Sequence, residues 1–402
     1  MGSRGKVRYA CVRIVASGGD LVLLVASAPL ERGFIDAELS TVLPLLLVEE
    51  PLELSHLPLP DVWYIAEDLE ETEDLGEKGR CAQVILTVTL NAAVDRTLVV
   101  PSLALGHRHR ATEGIALAGG KGINVARALR ALDVPVLATG LVGGRNGDTI
   151  RDGLAQAAIP FDFVEITSPS RTSTALVDPM NGTQTEINEH GPAVSPNEAH
   201  EFSRRLSFLM EYATAVVFAG SLPTNLDENF LTGLVRKARE EGLYTVVDAP
   251  PTVLKTALKA NPSLVSPNQH EAESAVGFDF IERGDYLLGI RRLVELGAER
   301  ACVTSPEGYS YLATEDGVML ARAAKVEPLS TIGSGDAYLA GLLAGLLHRK
   351  LSTVEAMRLA AGCAAANAEN LGAGVFEARR AEELAEAVRV EALVESLNQS
   401  GV

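Results

Sequence analysis

Residues 84–90 read Val84-Ile85-Leu86-Thr87-Val88-Thr89-Leu90. The run is apolar almost throughout and rich in β-branched side chains. A half-exposed strand would alternate; a near-continuous run is what a strand covered on both faces requires, as in a parallel sheet. It ends at a polar break, Asn91-Ala92-Ala93-Val94-Asp95. Toward the C-terminus the chain repeats strand, loop and helix. Apolar periodicity predicts helices over 123–132, 149–157, 196–212 and 229–241, and short apolar strands at 215–219, 244–248, 264–266 and 301–304. Strands alternating with helices give an α/β fold, a doubly wound and mostly parallel sheet with helices on both faces. Residues 96–118 and 172–188 alternate polar and apolar positions without a helical period. They are expected to be short antiparallel strands outside the main sheet, a small β-sheet lid.

Toward the N-terminus this pattern stops. Residues 67–82 are dominated by Glu and Asp and read as an acidic linker. It separates an N-terminal appendage, 1–66, from a domain over 83–392, with 393–402 as a tail. The appendage has strand-like runs at 7–15, 21–26 and 41–48, then Pro51, Pro58 and Pro60. No chemistry is assigned to it.

Composition narrows the function. The chain has 402 residues, is 47% hydrophobic and carries a formal net charge of -18. A surface so acidic repels nucleic acid, so no nucleic-acid role is expected. No apolar run approaches the roughly 18 residues that span a membrane. No basic segment leads an apolar core and a small-residue cleavage site at the N-terminus. Cys11, Cys81, Cys302 and Cys363 are scattered, without metal-site spacing, and are expected to be reduced thiols. A cytoplasmic enzyme without a membrane partner is expected.

Four motifs carry candidate chemistry. In Ser330-Thr-Ile-Gly-Ser-Gly-Asp-Ala-Tyr-Leu-Ala-Gly341, Gly333 and Gly335 flank Ser334, and Asp336 opens a small-residue helix running to about Leu347. A glycine turn feeding a helix N-terminus points free amides at one spot, and with them the helix dipole. Phosphoryl transfer needs such amides for the developing charge and a carboxylate for the hydroxyl proton. An Asp N-cap after a turn would read the same way. The second motif, Ala118-Gly119-Gly120-Lys121-Gly122-Ile123-Asn124, is again a glycine loop before a helix. Lys121 and Asn124, three apart, share a face there. Neither motif is a dinucleotide fingerprint or a Walker A loop. The third, Thr89 to Asp95, closes the first strand of the main sheet, the edge where ligands of open α/β sheets bind. In the fourth, Asn268 and Glu271 sit three apart after a strand. They form either a capping box or a carboxylate that orients water on Mg²⁺.

In this order along one α/β chain, with Thr185-Glu-Ile-Asn-Glu-His-Gly-Pro192 and Gly220-Ser-Leu-Pro223 between them, the motifs resemble the PfkB, or ribokinase-like, family of carbohydrate kinases. The match is to its phosphosugar branch, which holds 1-phosphofructokinases and tagatose-6-phosphate kinases, and it spans about 83–392. The resemblance implies an ATP- and Mg²⁺-dependent kinase with Asp336 as base and Gly333, Ser334 and Gly335 around the transferred phosphate. It implies that Asp95, Gly119, Gly120, Lys121, Asn124 and Asn188 hold the sugar and that Arg171 holds the phosphate already on it. It further implies that Asn268 and Glu271 organise Mg²⁺ and the ATP phosphates, with Glu271 acting through water. Thr304, Ser305 and Gly308 would form the nucleotide loop, and Asn367 would lie where the adenine pocket closes. Members of the family often pair through the lid, which implies a homodimer. Two positions depart from the family pattern: Ala92 stands where Pro is usual after Asn91, and Ser305 where Gly is common. Fructose 1-phosphate, fructose 6-phosphate, tagatose 6-phosphate and free hexoses all remain open as substrates. So does a non-catalytic regulator that binds sugar or nucleotide.

Overall fold

The computed structural model describes residues 12–15, 21–24, 62–64, 84–314 and 317–394. The chain divides into two units, Met1–Gly79 and Arg80–Val402. In the first, β1 (Val12–Val15), β2 (Leu21–Leu24) and β3 (Val62–Tyr64) form an antiparallel sheet in the order β2-β1-β3. Two of these strands fall within the expected runs 7–15 and 21–26. The run at 41–48, the acidic stretch 67–82, Cys11, Cys81 and residues 395–402 lie outside the described residues.

The second unit begins with β4 (Val84–Thr89), β5 (Ala93–Val99), β6 (Glu113–Gly119), α1 (Lys121–Ala131), β7 (Val136–Val142) and α2 (Gly144–Gln156). It continues through β8 (Phe161–Glu165), β9 (Arg171–Asp178), β10 (Thr183–Asn188), α3 (Pro196–Met210), β11 (Ala213–Ala219) and α4 (Glu228–Glu240). Then come β12 (Tyr244–Asp248), α5 (Pro251–Ala257), β13 (Leu264–Val265), α6 (Gln269–Val276), α7 (Arg283–Glu295) and β14 (Cys302–Thr304). The unit ends with β15 (Tyr309–Thr314), β16 (Gly317–Arg322), α8 (Ser334–Leu343), α9 (Thr353–Ala368), α10 (Ala378–Glu386) and β17 (Arg389–Val394).

The main sheet has the order β13-β12-β11-β4-β7-β8, and every neighbouring pair is parallel. β4 lies at its centre, as the unbroken apolar run requires. Successive side chains of a strand point to opposite faces, so Ile85 enters one core and Leu86 and Val88 enter another. The first core is covered by α1, α2, α8, α9 and α10, through Ile123, Leu129, Leu154, Leu342 and Met357. The second is covered by α3 to α7, through Phe202, Leu206, Val235, Leu254 and Ile290. The order of the strands reverses between β4 and β11. Such a reversal opens a crevice at the carboxyl ends of the strands, where ligands of these sheets bind.

The lid is a separate sheet, β10-β9-β5-β6. Its two hairpins are antiparallel as expected, but β5 and β9 pair in parallel. The cause is topological: β5 follows β4 and β9 follows β8, and β4 and β8 run in the same direction. Both excursions therefore leave the same edge of the main sheet with the same heading. Asp178 fastens them together. Its carboxylate accepts from the Ser102 and Leu103 amides at 2.8 and 2.7 Å in one hairpin and from Asn181 Nδ2 at 2.7 Å in the other. A second correction concerns 301–304. β14 belongs to an antiparallel sheet, β14-β15-β16-β17, and meets the main sheet only through single bridges, Val265 to Ala301 and Asn268 to Thr304. β17 also runs two residues into the stretch read as a tail.

Candidate active site

The carboxyl ends of β4, β11, β12 and β13 open into one cleft of about 1000 Å³, roofed by the lid. Thr89 ends β4 and Asn91 follows it, Gly220 and Ser221 follow β11, Asp248 ends β12, and Ser266 follows β13. Each reaches the cleft because its strand stops there.

Asp336 stands in the first turn of α8 and is 5% exposed. The preceding Gly333 adopts φ 78°, and a β-carbon there would lie 2.3 Å from Ala373 Cβ. The turn therefore needs glycine twice over, for conformation and for space. A β-carbon on Gly335 would meet nothing within 4 Å, because that position faces the open cleft. Asn124 Nδ2 donates to Asp336 Oδ2 at 2.8 Å. Burial, reinforced by the Asp248 carboxylate, raises the Asp336 carboxyl to about 7 against the opposing pull of Lys121 and the Asn124 hydrogen bond. A carboxylate that titrates near neutrality beside free helix amides can accept a hydroxyl proton and leave room for an anion.

Lys121 starts α1 and donates to Asp248 Oδ1 at 2.7 Å and to Glu271 Oε1 at 3.0 Å. Burial alone would lower the Lys121 ammonium; the two carboxylates outweigh it and raise the group above its ordinary value. Asp248 in turn is raised by its burial, with Lys121 opposing. Asn268 and Glu271 form a reciprocal capping box at the start of α6, with bonds of 2.9 and 3.0 Å. Glu271 thus spends one oxygen on the helix cap and the other on Lys121, so the capping-box reading of this pair holds. Asp248, Ser266, Asn268, Glu271 and Thr304 offer oxygens on this side of the cleft, with the Lys121 ammonium between two of the carboxylates, and among the described residues no group of three or more His, Cys, Asp or Glu is placed to hold a metal. A Mg²⁺ at these oxygens would therefore have to keep most of its water, since they form no closed protein cage.

Asp95 lies in β5, a strand of the lid itself, and the Gly120 amide donates to its Oδ2 at 3.3 Å. Burial raises the Asp95 carboxyl to about 6, while the Gly120 amide, Arg171 and Arg127 oppose the shift. A β-carbon on Gly119 would fall 2.0 to 2.5 Å from this carboxylate, so glycine there makes room for it. Arg171 opens β9. Its Nε donates to the Asn91 carbonyl and its Nη1 to Asn188 Oδ1, both at 3.4 Å. These long bonds leave guanidinium donors facing the cleft.

Known proteins can now be set beside this geometry. The family model for pfkB family carbohydrate kinases matches residues 88–379. The chain belongs to this family. A 1-phosphofructokinase of Bacillus subtilis (strain 168) is 32% identical over 295 residues, 73% of this chain and 96% of the relative. The crystal structure of a possible 1-phosphofructokinase from Thermotoga maritima superposes with a TM-score of 0.72 at 28% identity, covering 77% of this chain and all of that one. Phosphofructokinase-2 of Escherichia coli, solved with substrates and products, shares the fold with a TM-score of 0.70 at 24% identity, over 76% of this chain and 99% of that one. This kinase is therefore a phosphotransferase that acts on a sugar hydroxyl, of phosphofructokinase type, with ATP as the donor that its family implies. Among the described residues no helix is long and apolar enough to cross a membrane.

Not every expected site residue of the kinase lines the cleft. Gly333, Gly335, Asp336, Asp95, Gly120, Lys121, Asn124, Arg171, Asn188, Asn268, Glu271 and Thr304 do. Ser305 instead shapes the turn before β15, where its amide donates to the Tyr309 carbonyl at 2.8 Å and Gly308 takes φ 80°. Asn367 is fully buried. Its Nδ2 donates to the Ile332 carbonyl at 2.9 Å and to Ser334 Oγ at 3.3 Å, and its Oδ1 accepts from the Gly374 amide at 2.8 Å. It braces the glycine turn from behind. Sequence reasoning missed Asp248, a lone carboxylate closing the apolar run Tyr-Thr-Val-Val-Asp. An acidic residue at the carboxyl end of a doubly covered strand was the available signal.

Proposed function

We propose that this kinase transfers the γ-phosphoryl group of ATP to the free primary hydroxyl of a fructose phosphate, fructose 1-phosphate or fructose 6-phosphate, giving fructose 1,6-bisphosphate. The observation that carries this reading is Asp336, buried in the first turn of α8 in the same cleft as Asp95, Lys121 and Arg171. The sugar lies under the lid, with hydroxyls on Asp95 and the Gly120 turn and its existing phosphate on Arg171. Asp336 accepts the proton of the attacking hydroxyl as the oxygen–phosphorus bond forms and the bond to ADP breaks. The Gly335 amide, at the start of α8 and on the wall of the cleft, faces the charge on the moving phosphoryl group. Asn268 and Glu271 would hold Mg²⁺ through water; when bound, the ion neutralises charge on the ATP phosphates. Closure of the lid excludes water, which limits idle hydrolysis of ATP.

The test is ADP release with ATP and Mg²⁺ against fructose 1-phosphate, fructose 6-phosphate, tagatose 6-phosphate and free hexoses. Turnover confined to one of the two fructose phosphates supports the proposal. Preference for tagatose 6-phosphate or a free hexose overturns the substrate, and ATP binding without turnover on any of them overturns the activity. Arg171→Ala should raise KM for the sugar phosphate by at least tenfold, the scale of one charge-assisted contact, with little change in kcat; an unchanged KM removes Arg171 from the phosphate site. The pH profile follows from Asp336. Only its ionised form accepts a proton, so kcat/KM should be full above about 7 and fall as the pH drops through that value. Asp95, at about 6, adds a second loss further down.

A further inference from the structure

Arg127 lies one turn beyond Asn124 on α1, and no role has been given to it so far. Its guanidinium makes three bonds to three separate parts of the site. Nη1 donates to the Ala373 carbonyl at 2.7 Å and to Asn124 Oδ1 at 3.3 Å, and Nη2 donates to the Ala118 carbonyl. Ala118 is the last residue but one of the lid strand β6, beside the Gly119-Gly120 turn. Ala373 is the residue packed against Gly333. Asn124 is the donor to Asp336. Asp95, Asn124, Arg127 and Ala373 also share a small cavity of about 30 Å³ between lid and helix.

We propose that Arg127 is a positioning residue for phosphoryl transfer, which aims the Asn124 amide at Asp336 and ties the lid hinge to the backing of the glycine turn. The proposal rests on Asp336 being the base. An Asn amide has a donor end and an acceptor end that differ little in shape. With Arg127 holding Oδ1, only Nδ2 can face Asp336. A flipped amide would set an oxygen against the Asp336 carboxylate and an NH₂ against the guanidinium, and both contacts are repulsive. The planar fork also matters: a lysine at 127 keeps the charge but cannot reach the Ala118 and Ala373 carbonyls together. The charges that bear on Asp336 are Lys121 and Arg127 from α1, Asp248 from β12 and Asp95 from β5. Removing Arg127 removes one of the two cations and frees the amide to turn away.

The experiment compares Arg127→Met, Arg127→Lys, Asn124→Ala and the double variant Arg127→Met/Asn124→Ala with the parent enzyme, reading kcat, KM and the acid limb of kcat/KM. Arg127→Met should lower kcat by about 10- to 100-fold, the scale of one lost hydrogen bond to a charged group, and move the acid limb to higher pH. Arg127→Lys should lower kcat while leaving the limb near its parent position. The double variant should be slower than Asn124→Ala alone by clearly less than the full factor of Arg127→Met, because the two changes share one donor. Additive effects, or a folded Arg127→Met enzyme with parental kcat and limb, overturn the proposal. If Arg127→Met does not fold, Arg127→Lys still decides it, since parental kcat there shows that the fork is dispensable. Asp336→Asn is assayed alongside: if it keeps turnover, the base assignment has failed; if it is inactive while the Arg127 variants are normal, only the positioning role has.

Discussion

Asp336→Asn is expected to lower kcat by about 10²–10⁴-fold, the usual contribution of a positioned general base, while the KM values for ATP and sugar phosphate stay close to those of the parent. An amide keeps the shape of the side chain and cannot take the hydroxyl proton. The same change should not destabilise the fold. The carboxyl rises from 3.8 unfolded to about 7 folded, so the native state binds more protons between these values. Its contribution to stability is therefore favourable at low pH and lost as the pH rises through that window. Asp336→Asn removes the penalty, and the variant should melt at or above the parent temperature at pH 8 and show no such gain near pH 4. A clear loss of stability at pH 8 would mean that the carboxylate is held for the fold and not for chemistry. Near-parental kcat would remove it from the reaction.

Lys121→Met should act in the opposite sense. It leaves the Asp248 and Glu271 carboxylates facing each other without a cation, the first of them 5% exposed. Breaking a buried pair from one side costs about 3–5 kcal/mol. A third of the Lys121 side chain reaches solvent, so the lower end of that range, about 3 kcal/mol, applies. The variant should unfold at lower denaturant concentration than the parent at pH 8. The difference should narrow on acidification, as the Asp248 carboxyl, raised by its burial, takes up a proton and no longer needs the ammonium. A gap independent of pH would point to lost packing of the lysine stem instead.

The sequence made legible what is local. Asp336, Lys121, Asn124 and Glu271 each stand within a few residues of glycines or an Asn cap, and such neighbours advertise a helix N-terminus open to ligand, while Asp95 is marked by the polar break that ends the first apolar strand. Asp248 and Arg127 carry no local mark. Asp248 meets its partner 127 positions away, and Arg127 reaches Ala373 across 246. Their meaning exists only once the strands are ordered. The fold behaves in the same way. Val84–Thr89 declares itself by unbroken apolarity. Val136–Val142 is interrupted by Thr139 and Gly140, Phe161–Glu165 carries Asp162 and Glu165 at the sheet edge, and neither stood out. The helix Thr353–Ala368 is buried on almost every side behind small residues, so no 3.6-residue stripe marks it. The parallel pairing of β5 with β9 depends on the heading of two distant strands, which no window of sequence contains.

That pairing bears on how such a lid can be exchanged. The central seam of the roof joins chain from 93–99 to chain from 171–178, with the whole of α1, β7, α2 and β8 between them. The lid is therefore no cassette that can be lifted out at two cut points. A chimaera that borrows only one hairpin from a relative inherits a mismatched seam running through the middle of the roof. A transplant of substrate preference must carry both hairpins at once, with the Asp178 clasp that registers them.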